Sequence, residues 1–376
     1  MKLWNPGQEL VLTGMRWREW SALARQCFAT SGRGSAPRYL RLTLQSALNE
    51  IIARQEEAAA PSPPATAPLF VLGCWRSGTT WLHRLLACDP ARSSPTLLQT
   101  LNPHTFAFLQ GQKGAPWARH LYGRWARFHW GRRLHRWQRP SDAMETGPEY
   151  PGEDEFAMLM LARSDLLQHL VGRDKATHWA RYLALNLSAQ EYEQWQRQWL
   201  WFLGKVAARN PQRPLLLKSP NHTARLHSLL KIWPDARFVH LHRHPYEVFQ
   251  SLSAHLERVE SLGDRLEPRW RSSEESALEL YNQLYGPYLA RRGGLPRQQL
   301  VEVAYHELCV DPLGQLQRVY RQLELPGWNR AEPRLRALLH SQQGYRTTAH
   351  TQLSTQQRLK VASCWGEAFE AFGYRP

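Results

Sequence analysis

Cysteine is scarce in this sequence: there are five in 376 residues, and no two of them have the C-x-x-C spacing. An odd number without that spacing suggests neither a disulfide framework nor a thiolate zinc site. Long apolar runs are also lacking, since none approaches the roughly 18 residues that a membrane span needs. The first ten residues, MKLWNPGQEL, have no apolar core of the kind found in a secretory signal. We therefore expect a cytoplasmic protein that needs no metal.

Acidic residues are too few to balance the basic ones. There are 32 Asp and Glu against 48 Lys and Arg, which gives a formal net charge of +16. A charge of this size predicts attraction to phosphates, sulfates or an anionic membrane surface, and it says nothing about the fold. Hydrophobic residues make up 43% of the chain, which is enough for a real core and excludes wholesale disorder.

The chain divides into an N-terminal helical part, a proline-rich connection and a long alternating part. Apolar residues recur at helical spacing over residues 14 to 30 and again from about 38 to 59, so two amphipathic helices are expected. The segment PSPPATAP, residues 61 to 68, cannot continue a helix because its prolines remove donors and restrict their neighbours. We predict a helical extension at 1–60, then this linker, and one domain at 69–376.

Short apolar runs alternate with helical patterns throughout the long domain. PLFVLG, PLLLKSP, ARFVHLHR and LVEVAYHEL are each typical of a buried strand, and each leads into a sequence with helical spacing. Such alternation implies right-handed crossovers, and so an α/β fold with a mostly parallel, P-loop-like sheet flanked by helices. Ligands bind such sheets beyond the carboxyl ends of the strands, which is where the polar motifs of this sequence fall.

The first predicted strand runs into GCWRSGTT, residues 73 to 80, and then into a helix. Gly73 and Gly78 would let the backbone turn sharply and point N–H groups inward, while the helix N-terminus adds partial positive charge. The lysine of a Walker loop is lacking because Thr79 occupies its position, and the available cation is Arg76. The loop therefore suits a 5′-phosphate with one attached anionic group better than a triphosphate.

A second anion site is indicated where the run ARFVHLHR ends. Arg243 lies at the tip of this predicted strand, and Ser251 lies eight residues on, within a helix that begins near Pro245. Arginine is a forked, permanently charged donor and serine is a neutral one. The two side chains can therefore converge on one phosphate.

Together, these motifs resemble those of the sulfotransferase superfamily, whose members use 3′-phosphoadenosine 5′-phosphosulfate (PAPS). The residues that match its 5′-phosphosulfate loop are Arg76, Ser77, Gly78, Thr79, Thr80 and Trp81. The spacing of Arg243 and Ser251 is similar to the element that holds the 3′-phosphate of PAPS. From residue 69 onward the chain looks like a bacterial branch that includes enzymes sulfating a hydroxylated menaquinone. This resemblance implies a hydroxyl acceptor that is lipidic or amphipathic. Cys74 and Trp81 depart from the pattern of that branch. These departures affect the expected identity of the acceptor and not that of the donor.

Sulfuryl transfer needs a base for the acceptor proton and cations for the departing bisphosphate. The run KSPNH ends another predicted strand, and the resemblance implies that its lysine, Lys218, lies near the bridging oxygen of the donor. His222 is one candidate base because imidazole titrates near neutral pH. The alternative is a histidine that only hydrogen-bonds the loop at a helix N-terminus.

Three consecutive carboxylates offer a rival base. Glu153, Asp154 and Glu155 open an apolar helical stretch, FAMLMLA. Clustered like charges can raise a carboxyl pKa toward the range that a base needs, so Glu153 and Glu155 are catalytic candidates. The alternative is that these carboxylates only place favourable charge at a helix N-terminus.

Residues 113 to 139 interleave aromatic and basic side chains, with eight Lys or Arg and no Asp or Glu. This pattern suits peripheral contact with a membrane, where rings lie among headgroups and cations meet anionic lipid. It also suits single-stranded nucleic acid, whose bases stack on rings, or a packed helix with solvated arginines.

Four functions are compatible with these features. The leading one is a PAPS-dependent sulfotransferase. A P-loop kinase or ATPase is the enzyme alternative, and the absent Walker lysine opposes it. A nucleic-acid-binding protein is motivated by the net charge, but no recognisable reader motif supports it. The fourth is a relative that keeps the fold and has lost the transfer activity.

Overall fold

The structure, a computed structural model, describes residues 14–18, 20, 21, 24, 36–57, 61–109, 137–138, 144–161, 181–262, 272–341 and 352–376. The strands within these ranges are β1 (Leu69–Leu72), β2 (Trp137–Gln138), β3 (Glu145–Thr146), β4 (Leu216–Lys218), β5 (Arg237–His242) and β6 (Leu300–Ala304). One sheet has the spatial order β4, β1, β5, β6, and each neighbouring pair in it is parallel. The short β2 and β3 form a separate antiparallel pair. The predicted α/β fold with a mostly parallel sheet is confirmed.

Helices cover the crossovers between strands and the N-terminal region. They are α1 (Ala36–Glu57), α2 (Thr79–Leu86), α3 (Leu97–Leu101), α4 (Phe106–Leu109), α5 (Asp154–Leu161), α6 (Ala189–Ala207), α7 (Leu226–Ile232), α8 (Pro245–Leu262), α9 (Ser273–Arg292), α10 (Tyr305–Val310), α11 (Pro312–Gln322), α12 (Trp328–Ser341) and α13 (Thr355–Ala371), with a 3₁₀ turn at Pro220–Thr223. The N-terminal helix predicted from about residue 38 is thus present as α1. Within the described ranges, no helix is long and apolar enough to cross a bilayer.

The central sheet has an aromatic layer on one face and an aliphatic layer on the other. Successive side chains of a strand point to opposite faces, so Phe70 and Leu72 pack into the aromatic layer whereas Leu69 and Val71 pack into the aliphatic one. The ring of Phe70 stacks on Phe238 of β5 with 5.5 Å between centroids. Because β1 is covered on both faces, its sequence is a continuous apolar run rather than an alternating one.

Four of the described helices begin with the same reciprocal cap. In each, a Ser or Thr oxygen accepts a hydrogen bond from the backbone N–H three residues on, and the Gln or Glu at that position accepts one from the backbone N–H of the cap residue. The pairs are Thr96 with Gln99, Ser188 with Glu191, Ser272 with Glu275, and Ser354 with Gln357. These caps determine where α3, α6, α9 and α13 begin.

The C-terminal end of α1 is attached to the domain by a buried ion pair. Glu56 accepts a hydrogen bond from the backbone N–H of Phe108 at 2.7 Å and pairs with Lys205 of α6. The chain that leaves α1 then crosses α6 closely, because a Cβ on Gly204 would lie 2.5 Å from the carbonyl oxygen of Ser62. The position of α1 relative to the domain is thus determined by a side-chain contact and by a glycine.

Candidate active site

The loop after β1 has the sharply turned backbone that its glycines predict. Gly73 and Gly78 have φ values of 138° and 97°, and Arg76 between them is also left-handed at 69°. A Cβ on Gly73 would lie 2.4 Å from the carbonyl oxygen of Leu241, and one on Gly78 would lie 2.4 Å from the ring of Tyr305. Both glycines are therefore required by the backbone conformation and by close neighbours.

Side chains from other elements hold the beginning of this loop. The backbone N–H of Gly73 donates to Oγ1 of Thr223 at 2.8 Å, and that of Cys74 donates to the hydroxyl of Tyr285 at 3.4 Å. The Ser77 hydroxyl donates back to the carbonyl of Cys74 at 2.7 Å, so it stabilises the turn from within. Burial raises the pKa of the Cys74 thiol above its ordinary value of 9.0, so this cysteine stays protonated and is not a nucleophile.

The residues predicted for the two anion sites lie in contact with one another. Arg76 donates from Nε to the hydroxyl of Ser251 in α8 at 2.9 Å. Arg243, which follows β5, donates from Nη1 to the backbone carbonyl of Arg76 at 3.3 Å and pairs with Glu247 through Nε. Two guanidinium groups, the carboxylate of Glu247 and a hydroxyl thus lie beside the loop, which forms a corner of net positive charge at the carboxyl edge of the sheet.

Tyr305 completes this corner, although it belongs to none of the sequence motifs described above. It is the first residue of α10, directly after β6, and its ring contacts Gly78 closely enough to exclude a Cβ there. The guanidinium of Arg243 lies 4.7 Å from the centre of the same ring. The signal was available, because LVEVAYHEL places an aromatic residue at the same strand-to-helix junction where β1 and β5 carry their motifs.

Lys218 lies at the end of β4, against the first turn of α2. Its Nζ donates to Oγ1 of Thr80 at 3.3 Å and pairs with the carboxylate of Glu153. The Lys218 side chain is 3% exposed and that of Glu153 is 20% exposed, so the pair reaches solvent on the carboxylate side. The remaining two predicted loop residues flank this contact: Thr79 directs its methyl group at Gly73, and Trp81 is half-buried against the aliphatic layer.

The three consecutive carboxylates do not share one site. Glu153 pairs with Lys218, Asp154 contacts His222 at 2.9 Å, and Glu155 forms a two-pronged ion pair with the fully buried Arg225. Each carboxylate therefore has its own partner.

The pKa of Asp154 differs from what clustering predicts. Burial acts to raise the pKa of this carboxyl, but the charge and hydrogen bond of His222 and the hydrogen bond of Trp199, which donates from Nε1 at 2.7 Å, outweigh it. The pKa of Asp154 therefore lies below its ordinary value of 3.8. For this residue, the expectation that neighbouring carboxylates raise the pKa is wrong.

His222 is buried in the aromatic layer. Its side chain has no exposed surface, and its ring packs against Phe70 and Trp199 with centroids 5.3 and 5.6 Å away. Nε2 contacts Asp154, whereas Nδ1 has no hydrogen-bond partner among the described residues. His222 thus lies beneath the edge of the sheet, and Glu153 lies at that edge.

Two further sequence predictions concern the aromatic and basic segment and the need for a metal. Of the aromatic and basic residues 113 to 139, the structure describes only Trp137 and Gln138, as β2, so the proposed membrane-contact segment lies outside the described residues. Across the part of the chain that is described, no three His, Cys, Asp or Glu side chains converge in a way that could hold a metal ion.

Comparison with known proteins agrees with this architecture. A sulfotransferase family profile matches residues 68–330. Curated relatives in Mycobacterium bovis and Mycobacterium tuberculosis, both named omega-hydroxy-beta-dihydromenaquinone-9 sulfotransferase Stf3, are 31% identical over 314 residues, which is 82% of this chain and 76% of theirs.

Two crystal structures have a similar fold. Sulfotransferase STF1 from Mycobacterium tuberculosis superposes with a TM-score of 0.58 at 19% identity, over 93% of this chain and 92% of its own. Sulfotransferase STF9 from Mycobacterium avium superposes with a TM-score of 0.60 at 22% identity, over 89% of this chain and 83% of its own. At such identities the similarity concerns the fold.

Proposed function

The chain belongs to the sulfotransferase family, and from that premise we propose that it moves a sulfuryl group from PAPS to the hydroxyl of a lipid-like acceptor. Membership makes the protein a transferase and decides against the kinase and nucleic-acid-binding alternatives. The identity of the donor and the class of the acceptor go beyond family membership and are our proposal. The named relatives act on a hydroxylated menaquinone, which is a lipid carrying a hydroxyl group, and this supports an acceptor of the same class.

The contact between Arg76, Arg243 and Ser251 carries the proposal for the donor. PAPS has a phosphosulfate at the 5′ position and a phosphate at the 3′ position of one ribose. The loop at Gly78 offers backbone donors and a helix N-terminus to the first group. Arg243 and Ser251, which both contact Arg76 of this loop, offer a forked cation and a hydroxyl to the 3′-phosphate. A nucleotide without a 3′-phosphate would leave this second pair of donors unused.

Transfer requires one bond to form and one to break. The acceptor oxygen attacks sulfur, the bond between sulfur and the bridging oxygen of the 5′-phosphate breaks, and the bisphosphate leaves with the electron pair. We propose that Lys218, which lies against Thr80 at the first turn of α2, stabilises the charge that develops on the bridging oxygen. The acceptor loses its proton to a base on the same edge.

Among the candidate bases, we favour Glu153. Its carboxylate is the partly exposed one and lies beside Lys218, whereas the Glu155 carboxylate is held in two-pronged contact by the buried Arg225. His222 has no exposed surface, and Asp154 occupies its Nε2. A base must reach the acceptor hydroxyl directly or through one water, and Glu153 has the most direct access to solvent.

Replacing Glu153 by glutamine should lower the turnover number by about 10²-fold or more, because proton transfer by a positioned base typically contributes 10²- to 10⁴-fold. Donor affinity should change little. The matched control is Glu155→Gln, which should reduce thermal stability without a comparable loss of turnover per folded molecule, because it breaks a buried ion pair. Sulfate transfer from radiolabelled PAPS, normalised to the folded fraction, measures both. Normal turnover in Glu153→Gln would assign proton removal to another group, and His222→Asn would then be the variant to test.

Donor recognition can be tested without knowing the acceptor. We expect the protein to bind adenosine 3′,5′-bisphosphate in the presence of EDTA. Arg243→Ala should weaken this affinity by about 10²-fold, because a charge-assisted, forked contact is lost, and should hardly change the affinity for adenosine 5′-phosphosulfate, which lacks the 3′-phosphate. The exposed Arg336 on α12 provides a control, Arg336→Ala, that should bind both nucleotides normally. An equal loss for both nucleotides in Arg243→Ala would remove Arg243 from the 3′-phosphate site.

A lipid-like acceptor resides in a bilayer, so we also propose that the enzyme contacts the inner face of the membrane peripherally. The net charge of +16 supports attraction to anionic lipid. This part of the proposal concerns where the enzyme meets its acceptor and is separate from the identity of the donor.

A further inference from the structure

One face of α1 exposes a line of aliphatic side chains, here called the α1 stripe, which consists of Leu40, Leu44, Leu48 and Ile51. Their exposed fractions are 61%, 64%, 39% and 60%. The spacing of four, four and three residues places them on one side of the helix, over a length of about 16 Å. A row of this kind differs from scattered exposed apolar residues, which are normal on a protein surface.

The other face of α1 packs against the rest of the protein. Tyr39, Leu42 and Ile52 are buried, and Tyr39 and Leu42 pack with Met15, Trp20 and Met160 of α5 in a separate small core. Trp20 also donates from Nε1 to the Thr43 hydroxyl at 2.8 Å. The helix is therefore apolar on two sides, and packing against the described residues accounts for only one of them.

Among the described residues, the charged side chains around the α1 stripe are mostly basic. The carboxylate of Glu50 accepts hydrogen bonds from Arg16 at 2.9 and 3.0 Å and from Arg54 at 3.1 Å. The hydrogen bond from Arg16, together with that from Arg54, lowers the pKa of Glu50 to about 2 despite its burial, so this carboxylate stays ionised and is neutralised within the protein. Arg41 is a further basic residue of the same helix.

We propose that the α1 stripe is a docking surface for an anionic lipid bilayer, with α1 lying along the membrane and its aliphatic side chains inserted at the level of the headgroups. This inference rests on the membrane contact proposed above and identifies the α1 stripe as the surface that makes it. An amphipathic helix with aliphatic residues on one side and arginines beside them has the chemistry of an interfacial helix. A second copy of this chain would bring like charges together, since each carries a net charge of +16.

The attachment of α1 would transmit this docking to the catalytic domain. The contacts of Glu56 with Lys205 and with the backbone of Phe108 join the end of the helix to α6 and α4. A bilayer bound to the α1 stripe would therefore orient the whole domain and not only a tethered helix.

The test is cosedimentation of the full chain with vesicles of phosphatidylcholine and phosphatidylglycerol, and with vesicles of phosphatidylcholine alone. The test variant carries Leu40→Ser, Leu44→Ser and Leu48→Ser together, and the control is Leu359→Ser, at an isolated exposed leucine of α13. We expect the triple variant to lose about 10²-fold or more in partition into anionic vesicles, because each inserted leucine contributes about tenfold. The control should bind like the parent, and neutral vesicles should bind the parent less than anionic ones.

Affinity for adenosine 3′,5′-bisphosphate, thermal stability and oligomeric state are measured on the same samples. Normal nucleotide affinity and stability in the triple variant, together with lost vesicle binding, support the proposal. Unchanged vesicle binding would overturn it while leaving membrane contact to another segment, and a parent that binds no vesicles would overturn both. A fall in stability without lipid would mean that the chain itself covers the α1 stripe, and a parent dimer that the triple variant dissociates would mean that a second copy does. Either result overturns the lipid assignment. A parent that does not bind adenosine 3′,5′-bisphosphate would contradict only the proposal that PAPS is the donor.

Discussion

Replacing Lys218 by methionine should lower the turnover number by about 10²- to 10³-fold, which is the typical cost of removing one preorganised electrostatic contact to a transition state. Methionine has nearly the same length as lysine and no charge, so it keeps the packing at the end of β4 and removes only the cation. The lysine contacts Thr80 at the start of α2 and pairs with Glu153, which puts it between the loop and the favoured base. Bisphosphate affinity should fall much less than turnover, because the charge that Lys218 opposes develops during the reaction.

Lys231 provides the matched control for this substitution. It lies on α7 and is exposed, so Lys231→Met makes the same chemical change away from the loop. Single-turnover rates of sulfate transfer from radiolabelled PAPS, with thermal denaturation to count folded molecules, separate catalysis from folding. Retention of the parent rate in Lys218→Met would remove this lysine from the transfer step.

Mild acid should destabilise the protein strongly, because four histidines of the described ranges are buried in uncharged form. Burial lowers the pKa of His83 and His104 from 6.5 to about 3 and that of His242 to about 4, and it holds His240 well below 6.5. Below pH 6.5 the unfolded chain takes up protons at these positions and the folded one does not, so the free energy of unfolding falls as the pH falls. At pH 5.5 each of these histidines costs roughly 1 kcal/mol, so the four together cost several kcal/mol.

That loss is comparable to the whole stability of many domains, which is about 5 to 15 kcal/mol. Urea unfolding at pH 7.5 and at pH 5.5 measures it. His83→Gln should make the difference in unfolding free energy between the two pH values smaller by roughly 1 kcal/mol, and His340→Gln, at an exposed position of α12, should leave it unchanged. A total difference below about 1 kcal/mol would show that these histidines gain protons in the folded state.

The sequence was most informative about the sheet and the loop after β1, and the reason is local. A strand covered on both faces is rich in apolar residues, as β1 is throughout, and the runs at β1, β4, β5 and β6 are short and bounded by glycine, proline or polar residues. The positive φ values at Gly73 and Gly78 follow from the same local rule, because glycine tolerates them at no steric cost. None of this requires knowing which strands are neighbours.

The contacts between side chains could not be predicted in the same way. Consecutive residues in a helix point about 100° apart, so Glu153, Asp154 and Glu155, which lie at and just before the start of α5, meet three different partners and not one another. The contact of Arg76 with Ser251 joins residues 175 positions apart, and only the strand order brings them together. Polar motifs could not reveal Tyr305, because its contribution is a ring that touches glycine and supports an arginine.

The close packing around Gly73 and Gly78 limits how this enzyme can diversify. A Cβ at either position would collide with a backbone oxygen of β5 or with a tyrosine of α10, so a change there would demand a simultaneous rearrangement of a neighbouring strand or helix. Such coupled changes are rarely reachable by single mutational steps. New acceptors must therefore be accommodated by segments away from this turn, and a library designed to alter acceptor preference should leave these two glycines untouched.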